Sequence, residues 1–279
     1  MDGKFEEIEV LITVKTSPEP SEKYFDTVCV AAIRIDGGRR EWVRLYPIQF
    51  RHLAKDERFR KYELLRLYVR PPTSDDRHES HSPDQSRIVR LEHLANWTEK
   101  ASILDEVPRT TTCELQTAAR INPSAPSLGM VDVRDVGTLT FSDHPGWTTE
   151  QRHKLEAVYF LPETDLFGQR THPPPRLQPP RFIVRYSYRC DSARCKGHHA
   201  QLLDWELTAL QARFHSDADI KSAVTRNFYD IPTGSDRLLS FYVGNFFAVQ
   251  KRAVFSILGI YYPKRADVFK ARSAKDTLI

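Results

Sequence analysis

The chain has 279 residues, 40% apolar and 28% charged, with a formal net charge of +4. This suits one large domain or two modest ones, with enough apolar material for a core, and excludes a peptide or a disordered chain. No apolar run approaches the roughly 18 residues that cross a bilayer, and the first residues, Met1 to Glu7, are acidic where an export signal is basic and then apolar.

Aromatic residues at 11% and 18 prolines against 11 glycines favour strands joined by stiff loops. The four cysteines, Cys29, Cys113, Cys190 and Cys195, are too sparse for a disulfide framework, so a reducing cytoplasm is the expected compartment. A mildly basic balance is compatible with a polyanionic partner.

In chain order, apolar residues at 8, 10, 12 and 14 predict a first strand with one buried face. After Pro18 and Pro20, Thr27 to Ile35 predicts a second. The Asp36-Gly37-Gly38 turn then leads into a third, Glu41 to Tyr46. Phe50 to Phe59 is helix-compatible, Tyr62 to Val69 predicts a fourth strand, and Arg87 to Leu91 a fifth. The order β-β-β-α-β-β is that of an OB-fold, a five-stranded barrel that hides its strand edges by closing on itself.

Helices are predicted over Trp97–Leu104 and Thr110–Arg120, with a break at Asn122 to Pro126 and a capping box at Thr148 to Gln151. Strands follow at Met130 to Phe141, Val158 to Leu161 and Phe182 to Tyr188, then a long helix from about His199 to Phe214. Ser216 to Asp219 caps a shorter helix, and Leu239 to Val243 and Val254 to Tyr261 predict the last strands. The same order thus recurs. The expected fold is mainly β with α: two tandem OB-like five-stranded barrels, each with a helix between strands 3 and 4, divided into residues 1–105 and 106–279.

Four constellations bear on chemistry. Cys190 and Cys195, followed by Gly197 and His198, offer three ligands to one tetrahedral Zn²⁺, with Cys29, Cys113 or His199 as sources of a fourth; buried thiols beside a polar cap are the alternative, and a catalytic Cys-His dyad is a third reading with no nucleophile elbow or orienting acid nearby. An ion there would clamp the end of the Phe182 to Tyr188 strand to the start of the helix that follows, a structural role. Trp42, Arg44 and Tyr46 alternate along one strand, so one face would present two rings and a guanidinium for stacking bases and tracking phosphates. Arg51 and Lys61 lie near them in sequence, and burial of Trp42 and Tyr46 against the second domain is the competing reading. Arg176, Arg181 and Arg185 belong to the most basic stretch, Arg170 to Arg189, which also holds five of the prolines and contains no acidic residue. Finally, Asp76, Glu79 and His81 form a dense ionisable loop able in principle to hold a divalent metal, although such loops are more often simply solvated. No Gly-rich phosphate loop or Gly-x-Ser-x-Gly elbow occurs.

Taken together, Lys15-Thr16, Pro18 to Tyr24, Trp42 to Ile48, Phe50-Arg51, Lys61-Tyr62, Asp76 to Ser80, Tyr188 to Cys190, Cys195 to His198, Asp204 to Glu206, Phe241 to Asn245 and Leu258 to Pro263 resemble the dual OB-containing domain family. The resemblance spans most of the chain and implies two tandem OB barrels in a bacterial protein associated with anti-phage defence. The expectation from residues and resemblance is a cytoplasmic, non-catalytic subunit that binds single-stranded or distorted nucleic acid, as sensor or targeting component of a multi-subunit system. A protein-interaction adaptor is the first alternative, with exposed apolar residues in Phe241 to Phe247 as its contact patch, and a metal-dependent nuclease or hydrolase the second.

Overall fold

The computed structural model describes residues 4–21, 25–38, 40–73, 75–159 and 175–276. Arg170, and the ends of the predicted 158–161 strand and of the Pro18 to Tyr24 motif, lie outside them.

The first barrel is built from β1 (Glu6–Lys15), β3 (Phe25–Arg34), β4 (Glu41–Ile48), β5 (Glu63–Arg70) and β6 (Ser80–Pro83). A short β2 (Glu19–Ser21) adds to β3, and β7 (Val89–His93) adds to β5. The circuit runs β1-β3-β4-β6-β5 and closes because β5 pairs back to β1. All neighbours are antiparallel except β4 and β6, which run parallel through Arg44 opposite Ser80 and Leu45 opposite His81. That order is the OB-fold. The closing strand is therefore Ser80–Pro83, not the predicted Arg87–Leu91. The sequence Ser-His-Ser-Pro has no apolar alternation to announce it, whereas Val89 and Leu91 are apolar but exposed on a strand outside the circuit. The helix predicted over Phe50 to Phe59 shrinks to one 3-10 turn, Phe50–His52, while Phe50 and Phe59 plug the barrel end ring to ring.

Ile8, Val10 and Ile12 point into this barrel with Val28, Val30, Val43, Leu45 and Leu65. Val14, expected on the same face, does not. The register of β1 on β3 shifts between Ile12 and Val14, and the bulge turns Val14 outward beside Leu11, Ala31 and Ile33. These outward residues meet Met130, Leu128, Tyr242 and Leu258 of the second half in a continuous inter-barrel core. Burial on both faces explains why β1 reads as an unbroken apolar run from Val10 to Ile12. Each such side chain contributes about 1.5–3 kcal/mol when fully buried, so the two barrels are held by core-like packing. The approach is close: a Cβ at Gly259 would lie 2.9 Å from Val14 Cγ2.

The second barrel repeats the topology. Its strands are β9 (Leu128–Asp143), β10 (Phe182–Cys190), β11 (His198–Gln201), β12 (Ser240–Asn245) and β13 (Phe255–Tyr261), ordered β11-β10-β9-β12-β13, with a short β8 (Arg109–Thr110) parallel to β9. A parallel bridge between Leu202 and Ile257, with Leu203 N–H donating to the Ile257 carbonyl at 2.8 Å, closes the ring. Helices α4 (Trp205–Gln211) and α5 (Asp217–Thr225) stand between strands 3 and 4, as expected. The long helix predicted from His199 is corrected. His198–Gln201 pair with β10, and Asp204 caps the shorter α4 by accepting from Glu206 N–H at 2.8 Å. Residues 158 and 159, predicted as strand, end α3 (Thr149–Tyr159), whose capping box at Thr148 and Gln151 is present.

Two further helices, α1 (Trp97–Leu104) and α2 (Thr112–Ile121), link the barrels, and α6 (Arg265–Asp276) packs on α1 through Ala101, Val268 and Ala271. Among the described residues no helix is long and apolar enough to cross a membrane.

Candidate metal centre and nucleic-acid surface

Cys190 is the last residue of β10, Cys195 lies in the turn that follows, and His198 opens β11. Gly197 sits at φ +106°, a conformation that side-chain-bearing residues avoid, and this lets the chain reverse between Cys195 and His198. The fourth member is Cys113, in the first turn of α2. His198 Nε2 lies 3.2 Å from Cys195 Sγ, 3.4 Å from Cys190 Sγ and 3.5 Å from Cys113 Sγ, and the Cys190 and Cys113 sulfurs are 3.7 Å apart. All four ligand atoms fall within 4.8 Å of one another. A tetrahedral ion with metal–sulfur bonds of about 2.3 Å and a metal–nitrogen bond of about 2.0 Å sets S···S near 3.8 Å and S···N near 3.5 Å, so the cluster has the dimensions of a Cys3His site and could bind a metal ion.

Burial and the neighbouring thiols push the Cys113 thiol up to about 12, so a metal binding there must displace its proton. Burial lowers the His198 pKa and so favours the neutral imidazole a metal needs. Burial opposes ionisation of Cys190, but backbone N–H groups of Ser192 and Cys113 and the neighbouring thiols outweigh it and bring its pKa below the ordinary thiol value. Cys190 and Cys195 are buried, and the His198 ring stacks obliquely on Tyr188 at 5.1 Å. Of the other proposed fourth ligands, Cys29 belongs to the first barrel, where Arg44 Nη1 reaches its sulfur at 3.3 Å, and His199 faces Thr140 Oγ1 at 3.2 Å on the opposite side of β11.

The residues expected to bind nucleic acid are scattered. Trp42 is half-buried edge-on against Tyr242, and Arg44 is buried between the barrels with its guanidinium on Ser127. They do not form a solvent-facing platform, because the outer wall of β4 is covered by the second barrel; Tyr46 alone of the three is exposed. Lys61 is sequestered with Asp204 at 3.3 Å. Arg51 pairs with Asp26 at 2.8 Å and reaches the Pro175 carbonyl. Arg181 grips Asp217 at 2.8 Å and lies 3.3 Å from Asp143, while Arg176 is half-exposed, 3.9 Å from Glu156.

Arg185 is different. On β10 the side chains of Val184, Tyr186, Tyr188 and Cys190 point inward, leaving Ile183, Arg185, Ser187 and Arg189 outward. Arg185 pairs across to Thr140 on β9 and Gln201 on β11, and its Nη1 donates to Ser142 Oγ at 3.1 Å. Ser187 stands opposite His199, and Arg194 and Lys196 are exposed in the turn beside Arg189. Two carboxylates stand at the margin, Asp135 opposite Arg189 and Asp191 exposed in the turn. This outer surface of strands 1 to 3 is a hydroxyl- and guanidinium-bearing sheet, and the acid-free run from Arg170 to Arg189 was its signal in sequence.

The ionisable loop does not converge. Buried Glu79 accepts from Ser127 N–H at 2.6 Å, Asp76 pairs with Arg252, and His81 Nδ1 lies 2.9 Å from the Glu79 carbonyl oxygen. Three side chains engaged in three directions leave no shared metal position.

A search of curated proteins finds no match to the chain. Among solved structures, a murine DNA-binding protein bound to double-stranded DNA is similar at TM-score 0.30 and 10% identity, over 92% of this chain and 94% of that one. A replication protein A heterotrimer bound to single-stranded DNA is similar at TM-score 0.24 and 11% identity, over 99% and 69%. Likeness this slight carries no argument, and the OB topology stands on the strand pairings alone. A family model described as "Domain of unknown function (DUF8758)" matches residues 6–106, over the first barrel. The second barrel with its linking helix is matched over residues 108–278, more than half of the chain, by the model described as "Domain of unknown function (DUF8757)", and it is to this family that the chain belongs.

Proposed function

We propose that this is a nucleic-acid-binding protein, the recognition subunit of a larger assembly, that holds a strand on the outer face of β9, β10 and β11. The observation that carries the reading is the outward row of β10: Arg185 and Arg189 stand among Ser142, Thr140, Ser187 and His199, and neither guanidinium is in an ion pair among the described residues. In OB-folds the strand 2–3 face is the one that takes oligonucleotides. Here it offers charge and hydroxyl donors rather than rings, a chemistry for sugar and phosphate rather than base edges. Fluorescence-anisotropy titration with single- and double-stranded oligonucleotides over a salt series tests it. Saturable binding that weakens with salt is the expected result, and none at low salt refutes it.

The Cys3His cluster has a companion role in this reading. Three thiolates and an imidazole suit Zn²⁺, and a site with four protein ligands leaves no position for water, so the ion would be structural. It would pin α2 to the β10–β11 turn and thereby fix the turn carrying Arg194 and Lys196 beside the binding face. Zinc content of protein purified without added metal decides this.

A further inference from the structure

A second site lies between the barrels, away from the sheet face above. A cavity of about 580 Å³ opens where the Phe50 to Lys61 connection of the first barrel meets α4 and the following turn of the second. Among the described residues its cations are Lys15, Arg58, Arg60, Lys61 and Arg213, against a single lining carboxylate, Glu206. Its rings are Phe50, Phe59, Trp205, Phe228 and Tyr262. Phe228 arrives there on a π-helical turn, Arg226–Asp230, a widened geometry often found at functional sites.

The cation at its heart is not accounted for by the fold. Lys15 is 6% exposed, yet among the described residues its ammonium has one hydrogen bond, to the Phe59 carbonyl at 3.2 Å, and otherwise lies over the rings of Phe50 at 4.9 Å and Phe59 at 5.7 Å. Among the described residues no carboxylate is within ion-pair distance of it, nor of Arg58 or Arg213. Arg58 instead spends its donors on the carbonyls of Leu53 and Arg51. Burial, with the neighbouring Lys61, brings the Lys15 pKa down to about 8 although Glu206, Asp204 and Glu63 pull it the other way, so no carboxylate near it fully offsets its burial. Unpaired cations beside aromatic walls, in a volume typical of small-molecule sites, match a ligand that is anionic at one end and flat at the other.

We propose that this cavity binds a nucleoside 5′-phosphate, its phosphate held by Lys15, Arg58 and Arg213 and its base packed against Trp205 and Phe228. A free nucleotide and the 5′-phosphorylated end of a strand share that chemistry. None of the residues of the β10 face lines this cavity, and binding here is independent of binding there.

Calorimetric titration of the full chain with each of the four common ribonucleoside 5′-monophosphates, their nucleosides and inorganic phosphate tests it, alongside one oligonucleotide with and without a 5′-phosphate. The expected result is a monophosphate binding at least tenfold tighter than its nucleoside or inorganic phosphate. The affinity should fall at least tenfold in Arg58→Ala and Arg213→Ala, whose exposed side chains are removable without unfolding the chain, and stay unchanged in Arg185→Ala. If free monophosphates fail but the 5′-phosphate tightens strand binding in an Arg58- and Arg213-dependent way, the ligand is a strand terminus. Equal binding of inorganic phosphate, no ligand bound and no effect of the 5′-phosphate, or affinities indifferent to both substitutions would each overturn the proposal.

Discussion

Arg44, on the first barrel, donates from Nη2 to both the main-chain carbonyl and the hydroxyl of Ser127, on the approach to the second, at 3.0 Å each. Ser127 in turn donates its N–H to Glu79 Oε1 at 2.6 Å and its hydroxyl to Oε2 at 3.2 Å. A buried cation and a buried anion from one barrel thus close on a single residue of the other. Removing the guanidinium loses its charge-assisted hydrogen bonds to Ser127, which costs about 1.5–3 kcal/mol. Arg44→Ala is therefore expected to lower stability by that order in urea unfolding, and a change below about 1 kcal/mol would show the network to be incidental.

Metal content separates the four thiols. Cys113→Ser and Cys190→Ser are expected to lose the ion and several degrees of melting temperature, because structural zinc contributes roughly 10–16 kcal/mol of apparent binding energy in small peptides. Cys29→Ser, in the other barrel, should retain it. Zinc far below one equivalent in the wild-type chain, measured by elemental analysis, would identify the cluster as buried thiols only.

Lys15 makes a prediction of opposite sign. Its pKa is about 8 in the folded chain against 10.5 for the free side chain, so between those values the unfolded chain binds more protons and stability rises with pH. Below pH 8 the native state carries a buried charge at a cost. Lys15→Met should accordingly stabilise the protein at pH 7, by roughly 1–3 kcal/mol, with the gain shrinking toward pH 10.5. Urea midpoints of both proteins across that range check it; a variant less stable than wild type at pH 7 would mean the ammonium is already compensated. The same substitution should abolish nucleotide binding in the inter-barrel cavity, a gain in stability at the expense of a site.

Salt dependence reports on the β10 face. Each phosphate contact on a single strand contributes about 0.7 to the slope of log affinity against log salt. Arg185→Ala and Arg189→Ala should each flatten the slope by about that amount and weaken binding of all sequences alike. Arg181→Ala, whose guanidinium is already committed to Asp217, should change it little.

Much of the architecture was legible because strands 8–14, 27–35, 41–46 and 62–69 alternate against turn residues at predictable places. What escaped had physical reasons. The β6 strand is closed by pairing alone, without an apolar face, and His198–Gln201 is too short to declare a period against the helical stripe that follows it. At the metal centre, Cys190, Cys195 and His198 are close in the chain and were visible together. Cys113 is a partner only because α2 folds across the second barrel, a relation that no local spacing encodes. Trp42 and Arg44 misled as a platform because the alternation that sets two faces of β4 apart cannot tell solvent from a neighbouring barrel. The inter-barrel cavity draws Lys15, Arg58 and Arg213 from three distant segments and left no trace in any one of them.

The length of β9 bears on how the molecule is made. One end of this strand pairs with β10 and the other with β12, so Val131 must find Phe241, more than a hundred positions downstream, before the second ring exists. The first ring closes within its own stretch of chain, from Glu6 to Pro83. Loop-closure entropy makes distant pairings slow, and domains that emerge first on the ribosome fold first. During synthesis the finished first barrel would therefore wait with Leu11, Ala31 and Ile33 uncovered until β12 and β13 arrive. The interval is one of aggregation risk, and refolding followed by hydrogen exchange should show β1 and β3 protected well before β12.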